Sequence, residues 1–311
     1  MKHEFKVIFI LMALFIVTQL LGLLVVDTYS LHTVTLPTGA NVTTGNSIPY
    51  GMQHEPTEPG ISLITMLISL TIAIGLIFLL MKFRARVFFQ LWFTIVIIIT
   101  CAISLNAIFL VLFPEIPLGW DMIAMVIALP LAFYKIFRKN LQIHNLTELL
   151  IYPGLAAIFV PLFDITTTII LLIIISIYDF IAVIKSKFMV EMAKFQIKKV
   201  GIFAGLFVPY MNDKTKKLLQ KIKMKNLKLG GNGQRIPISV AILGGGDIAF
   251  PLIFAGVVFK SLGLLPALIV ILGASLGLLS LFLIGKKGKF YPAMPFITAG
   301  AIIGWIASTL I

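Results

Sequence analysis

An all-α integral membrane protein of about nine transmembrane helices, with a cytoplasmic N-terminus and an outside C-terminus, is the fold class this sequence predicts. Three observations predict it. Of the 311 residues 59% are hydrophobic and only 12% charged, where a soluble domain runs near one half and one quarter. Apolar runs of about 20 residues, the length that crosses a hydrocarbon core at about 1.5 Å per residue, recur along nearly the whole chain. The connections between them alternate between rich and poor in Lys and Arg, as alternate sides of a membrane require.

The first run, 7–26, follows Met1-Lys2-His3-Glu4-Phe5-Lys6. It is long for a signal peptide and no small-residue cleavage site follows Val26, so it is expected to stay as an anchor. Runs at 61–81, 87–113, 119–137, 147–163 and 165–184 make spans two to six, and runs at 236–259, 261–284 and 290–311 make spans seven to nine. Lys2 and Lys6 put the N-terminus inside. The 27–60 connection carries no Lys or Arg, Lys82, Arg84 and Arg86 follow the second span, and the Pro114–Trp120 turn again carries none. Lys135, Arg138 and Lys139 then lie inside, Asp164 outside, Lys260 outside, and Lys286, Lys287 and Lys289 inside, which leaves Ile311 outside.

Residues 185–235 form the one real boundary: 1–184 holds helices one to six, 185–235 is a basic cytoplasmic loop, and 236–311 holds helices seven to nine. The loop carries 13 of the 25 Lys and Arg residues, against Glu191 and Asp213 alone. Much of the net charge of +13 therefore lies beside apolar runs on one side, which points to an anionic leaflet as its partner and away from nucleic acid. Lys194-Phe195-Gln196-Ile197-Lys198 and the stretch from Lys214 to Lys228 read as amphipathic surface helix, passing to a flexible Gly230-Gly231-Asn232-Gly233 connector. Cys101, the only cysteine, lies within an apolar run, so neither a disulfide framework nor a thiol-ligated metal site is expected.

Of the 12 acidic residues, ten fall in connections or within a turn or two of a span end, leaving Asp179 and Asp247 inside apolar runs. An ionised Asp at the bilayer centre costs on the order of 3 kcal/mol, and no Lys or Arg is expected at comparable depth. Asp179 lies six residues before Lys185, roughly 9 Å from that end of its span, and Asp247 lies 12 residues after Arg235, roughly 18 Å in. If the sixth span continues through Phe188-Met189-Val190 with Lys185 and Lys187 snorkelling, the two acids come to similar depths on antiparallel neighbours. Two carboxyls about 3 Å apart cannot both ionise and titrate as a unit. One member is then a base while the other is an acid, the arrangement that hydrolyses an amide without metal or serine.

The flanking residues support such a site. Asp247 ends Gly244-Gly245-Gly246-Asp247, and three glycines in mid-helix cost roughly 3 kcal/mol in helix propensity, so close approach of another backbone is the expected return. A nucleotide-binding glycine loop is not expected, because the run lies in an apolar 24-mer rather than between a strand and a helix. Tyr178 precedes Asp179 and offers a hydroxyl to a carboxylate or a substrate carbonyl. Tyr291-Pro292-Ala293-Met294-Pro295 opens the last span, and its two prolines are expected to leave carbonyls unpaired near the site.

Tyr178-Asp179, Gly244-Gly245-Gly246-Asp247 and Pro292-Ala293-Met294 together resemble the YD, GxGD and PAL motifs of the presenilin and signal peptide peptidase superfamily of intramembrane aspartyl proteases. Met294 stands where the family has Leu, a volume-conserving exchange. The N-inside orientation is most like a presenilin, an archaeal homologue in particular. The resemblance implies a nine-helix bundle in the cell membrane with Asp179 and Asp247 catalytic. Tyr178, Gly244, Gly246, Pro292, Ala293 and Met294 would lie at the substrate. It implies no cofactor and no metal; its partners would be transmembrane-helix proteins as substrates and the lipid bilayer, the chain acting alone or as a homo-oligomer. Strand addition of the unwound substrate is implied, with Gln234 to Ile238 and the Pro292 turn as edges.

A different class uses buried acids too: a proton-coupled transporter or ion channel. Other intramembrane hydrolases fit less well. His54-Glu55-Pro56-Thr57-Glu58 lacks a second zinc-binding His, and Gly273-Ala274-Ser275-Leu276-Gly277 has no intramembrane His as base.

Overall fold

The computed structural model describes residues 5–30, 32–35, 41–52, 64–65, 67–69, 71–72, 75–76, 86–116, 119–138, 140–184, 204–210, 239–285 and 291–310. Eight helices run through them: α1 (Phe5–Thr28), α2 (Arg86–Leu112), α3 (Trp120–Phe137), α4 (Leu141–Phe159), α5 (Ile165–Ile184), α6 (Gly246–Leu262), α7 (Leu264–Ile284) and α8 (Met294–Ser308). Helical residues between 64 and 76 stand where the second span is expected. Six of the helices are long and apolar enough to cross a membrane, and α8 is a shorter apolar helix. Exposed Ile, Leu, Val and Phe recur along them, among them Ile127, Phe133, Ile173, Leu272 and Ile303. A lipid-facing exterior needs that surface, and water would penalise it.

Sequence-local signals set the helix ends. Asn140 caps α4 through its Oδ1, which accepts from the amides of Gln142 at 2.9 Å and Ile143 at 3.4 Å. The cap starts α4 six residues before the expected 147 and brings His144 and Asn145 into the helix. Asp164 caps α5: its Oδ1 accepts from Thr167 N at 2.7 Å, and Thr167 Oγ1 accepts from Asp164 N at 3.1 Å, a reciprocal box. Gly263, at φ 90°, is the single residue between α6 and α7, a conformation that side-chain-bearing residues avoid.

Small residues set the packing. A Cβ on Gly273 would lie 2.2 Å from Gly300 O, and one on Gly277 would lie 2.2 Å from Phe296 O. Gly273 and Gly277 on α7 thus face Gly300 and Gly304 on α8, two small-xxx-small faces in backbone contact. Gly154 of α4 meets the carbonyl of Thr100 on α2, and Gly22 of α1 meets Leu252 on α6. The core lies where α1, α4, α6 and α7 converge, with Leu11, Phe15, Leu252, Phe254 and Leu278 fully enclosed.

Two departures from expectation matter. The 27–60 connection holds a hairpin, β1 (His32–Thr35) paired antiparallel with β2 (Asn41–Thr44). The expected seventh span, 236–259, does not begin as a helix: Ser239–Gly244 is a strand, β4, paired antiparallel with β3 (Gly205–Tyr210), and helix starts only at Gly246. Val240 and Ile242 are exposed while Ala241 and Leu243 are buried, the period of two that a strand imposes. The described part of the basic loop, 204–210, carries the strand β3. The amphipathic stretches at 194–198 and 214–228, the connector 230–233, the edge 234–238, the continuation 188–190 and Lys82, Arg84, Lys286, Lys287 and Lys289 lie outside the described residues.

Candidate active site

Asp179 is on the last third of α5, and only 6% of it is exposed. Its Oδ2 accepts a hydrogen bond from the backbone N–H of Met294 at 3.1 Å. That amide is free because Met294 is the first residue of α8, and the first turn of a helix has no internal acceptor for its N–H groups. Pro292-Ala293-Met294 therefore presents a donor to the acid, and the expected unpaired carbonyls do not follow at Ala293, whose carbonyl accepts from Phe296 N at 3.2 Å and Ile297 N at 3.1 Å. Pro295, at the second helical position, has no amide to satisfy. Ser176 Oγ donates to Thr298 Oγ1 at 2.8 Å and ties α5 to α8 one turn from the acid.

Asp247 is the second residue of α6, half-buried, at the strand-to-helix junction rather than in mid-helix. The three glycines serve that junction. Gly244 ends β4 with its amide toward the Asp247 carboxyl, and a Cβ there would lie 3.1 Å from Oδ2. Gly245 caps the helix, and its N–H continues the ladder by one rung, donating to Ala204 O at 3.2 Å. A Cβ on Gly245 would lie 2.8 Å from the Tyr152 hydroxyl, so the close approach expected of the run is made here, by a side chain from α4. Gly246 is exposed, and a Cβ on it would make only an ordinary contact with Phe250. The run does stand between a strand and a helix after all, yet its free amide faces a carboxylate and not a phosphate.

α5 packs against α6, so the two acids, 68 positions apart in sequence, lie on neighbouring helices. Among the described residues no cation pairs with either. Tyr178 points elsewhere: 43% of it is exposed, and among the described residues its hydroxyl has no hydrogen bond. A groove of about 360 Å³, lined by Ile173, Ser176, Ile177, Phe180, Pro295 and Thr298, opens between α5 and α8 beside Asp179.

A third buried acid goes against the expectation of two. Glu148, 1% exposed on α4, ion-pairs with Lys135 of α3, itself 8% exposed. His144 Nε2 is 3.6 Å from Glu148 Oε1 and 2.8 Å from Gly205 O, to which it donates. His144, Glu148 and Tyr152 recur at intervals of four on α4, a polar stripe that would have been legible had α4 been started at its Asn140 cap. Its pairing distinguishes Glu148 from the other two: a carboxylate neutralised by Lys135 has no call to ionise and de-ionise in a reaction.

Comparison with known proteins identifies the family and the fold. A family profile described as "Signal-peptide peptidase, presenilin aspartyl protease" matches residues 12–311. No curated protein sequence matches the chain. Two solved structures of a presenilin family intramembrane aspartate protease share the fold. The C222 crystal form is similar with a TM-score of 0.63 at 16% identity over 98% of this chain and 99% of that one. The P2 form is similar with a TM-score of 0.58 at 18% identity over 97% of each.

Proposed function

The chain belongs to the signal-peptide peptidase and presenilin aspartyl protease family, and from that premise we propose that Asp179 and Asp247 are its catalytic dyad. It is a multi-pass membrane protein and an intramembrane aspartyl protease. The observation that carries the assignment is that the packed helices α5 and α6 each bring an acid with no cation beside it among the described residues, Asp179 bound by the Met294 N–H and Asp247 seated over Gly244.

In the reaction the dyad holds one proton. The ionised carboxyl takes a proton from water, and the resulting hydroxide attacks the scissile carbonyl while the protonated carboxyl polarises its oxygen. The tetrahedral centre collapses as a carboxyl hands a proton to the leaving amine, and the pair ends with the single proton it began with. The substrate is a transmembrane helix of another protein, unwound so that its amides become accessible. The apolar groove between α5 and α8 supports approach from the bilayer. Alternation of Lys and Arg supports a cytoplasmic N-terminus in the cell membrane.

The strand β4 supports strand addition, with the edge displaced from 234–238 to 239–244. Successive residues of an antiparallel pair turn their N–H and C=O toward the partner and away from it in alternation. Gly245 N–H bonds Ala204 O, so by the register Leu243 and Ala241 face β3, while Val240, Ile242 and Gly244 face outward, the last of them beside Asp247. A substrate strand paired there would run straight to the acids. The deciding experiment is mass spectrometry of peptides released in liposomes from a single-span reporter protein. Wild type is expected to yield termini within the span, and Asp247→Ala or Asp179→Ala to yield none; residual cleavage above a few per cent in either would overturn the dyad.

A further inference from the structure

The sheet that offers this edge has two outer edges, and among the described residues only one of them is capped. Phe207, at the centre of β3, has both outward groups bound by one side chain: Asn145 Nδ2 donates to Phe207 O at 2.7 Å, and Phe207 N donates to Asn145 Oδ1 at 3.0 Å. A primary amide that donates to and accepts from one residue reproduces what a neighbouring strand would do. One position earlier in the same outward set, Gly205 O accepts from His144 Nε2 at 2.8 Å. One position later comes Pro209, which has no N–H to offer. The His144 ring also packs on the Phe207 ring, with centroids 4.7 Å apart. Glu148, held by Lys135, has its Oε1 3.6 Å from the same Nε2.

The outer edge of β3 is thus capped by α4 at Gly205 and Phe207 and has no donor at Pro209, while among the described residues nothing bonds the outward edge of β4 at Val240 and Ile242. A two-stranded ribbon is marginal by itself, yet the ribbon is formed with no third strand among the described residues. We propose that Asn145 is a positioning residue for substrate: acting as a fixed strand mimic on β3, it preforms the ribbon and leaves β4 as the one edge a substrate can join. The role rests on the reading of β4 as the receiving edge of an aspartyl protease. It goes further by naming what sets that edge's order and register. In chemical terms Asn145 removes the cost of ordering the receptor before the substrate arrives, so its loss appears in substrate affinity and in where the chain is cut rather than in the chemical step.

The test uses the full-length protein in liposomes with the single-span reporter, comparing wild type, Asn145→Leu, Asn145→Asp and Asp247→Ala. Asn145→Leu, which removes both hydrogen bonds, is expected to raise KM about tenfold or more with kcat within about threefold. The released peptides are expected to spread over neighbouring cut positions, because a loosened ribbon slips in register. Asn145→Asp keeps the acceptor for Phe207 N–H but sets a carboxylate oxygen against Phe207 O, so it should behave like the Leu variant and not like wild type. Pro209 and Val240 form an outward-facing cross-strand pair, both exposed, which suits a disulfide. In an Asn145→Leu/Pro209→Cys/Val240→Cys protein, oxidation is expected to restore KM and a single cut site, and reduction to abolish both. This clamp also serves if Asn145→Leu alone does not fold. Wild-type KM and cut site in Asn145→Leu, or an oxidised clamp that leaves KM and cut spread unchanged, would overturn the role of Asn145. Either result beside an inactive Asp247→Ala would leave the dyad standing, whereas an active Asp247→Ala would remove the dyad whatever Asn145 does.

Discussion

At the scale of single residues the function turns on which buried acids are neutralised. Glu148 has Lys135; Asp179 has the Met294 N–H, and among the described residues neither Asp179 nor Asp247 has a cation. A buried ion pair with one partner removed leaves an uncompensated charge, which costs about 3–5 kcal/mol, while replacing both partners by apolar residues is near neutral. Lys135→Ala should therefore lower the unfolding temperature sharply, and Lys135→Met/Glu148→Leu should recover most of the loss, as differential scanning fluorimetry would read. The aspartates should behave in the opposite way. Asp179→Asn and Asp247→Asn relieve a costly buried acid, so each should match or exceed wild-type stability while reporter cleavage disappears, because an amide cannot exchange the shared proton. An active Asn variant would move either residue out of the chemistry. Met294 shows how local this logic is: the sequence exchange from Leu is immaterial because the group that touches Asp179 is its backbone amide.

At the scale of elements, the junction between β4 and α6 carries the second acid, and its glycines can be told apart. Gly245→Leu would drive a Cβ to 2.8 Å from the Tyr152 hydroxyl. It should destabilise by about 1–3 kcal/mol and displace Asp247 as well. Gly246→Leu meets only Phe250 at 3.5 Å and projects from an exposed position beside Asp247. It should fold with near-wild-type stability and lose cleavage, and a fluorimetry and cleavage assay on both variants would separate the two effects. The entry to α5 is legible in a different measurement. Asp164 is held below the usual carboxylate range, first by the Thr167 hydroxyl and then by backbone amides. A folded-state pKa below the unfolded one stabilises at neutral pH, and that stabilisation is lost as pH falls through the folded value. Thr167→Ala should therefore unfold more easily than wild type at pH 7, with the gap closing on acidification below the carboxylate range. A gap independent of pH would assign the effect to lost packing.

At the scale of the whole molecule, much was readable along the chain. Spans 87–113, 119–137, 165–184 and 261–284 agree with α2, α3, α5 and α7 within a few residues, because a long apolar run in lipid can satisfy its backbone only as helix. The two aspartates stood out because an acid in such a run is costly, a property of the residue and its neighbours in sequence. What failed was non-local. The run Ser239–Gly244 is short enough to be helix or strand, and its choice was made by Gly205–Tyr210, whose paired positions lie 29 to 39 residues earlier and supply the partner ladder. Gly273-Ala274-Ser275-Leu276-Gly277, already a poor nucleophile motif in sequence for want of an intramembrane His, is a packing element: Ser275 donates to Ile271 O at 2.7 Å and the glycines receive α8. By itself, then, the sequence determined the membrane class, the long helices and the identity of the exceptional acids, since each follows from the cost of transferring local groups into lipid. Only the tertiary structure decided which acid is neutralised, where strand gives way to helix before Asp247, and which sheet edge stays open. Those outcomes depend on hydrogen bonds and ion pairs between groups that distant parts of the chain bring together.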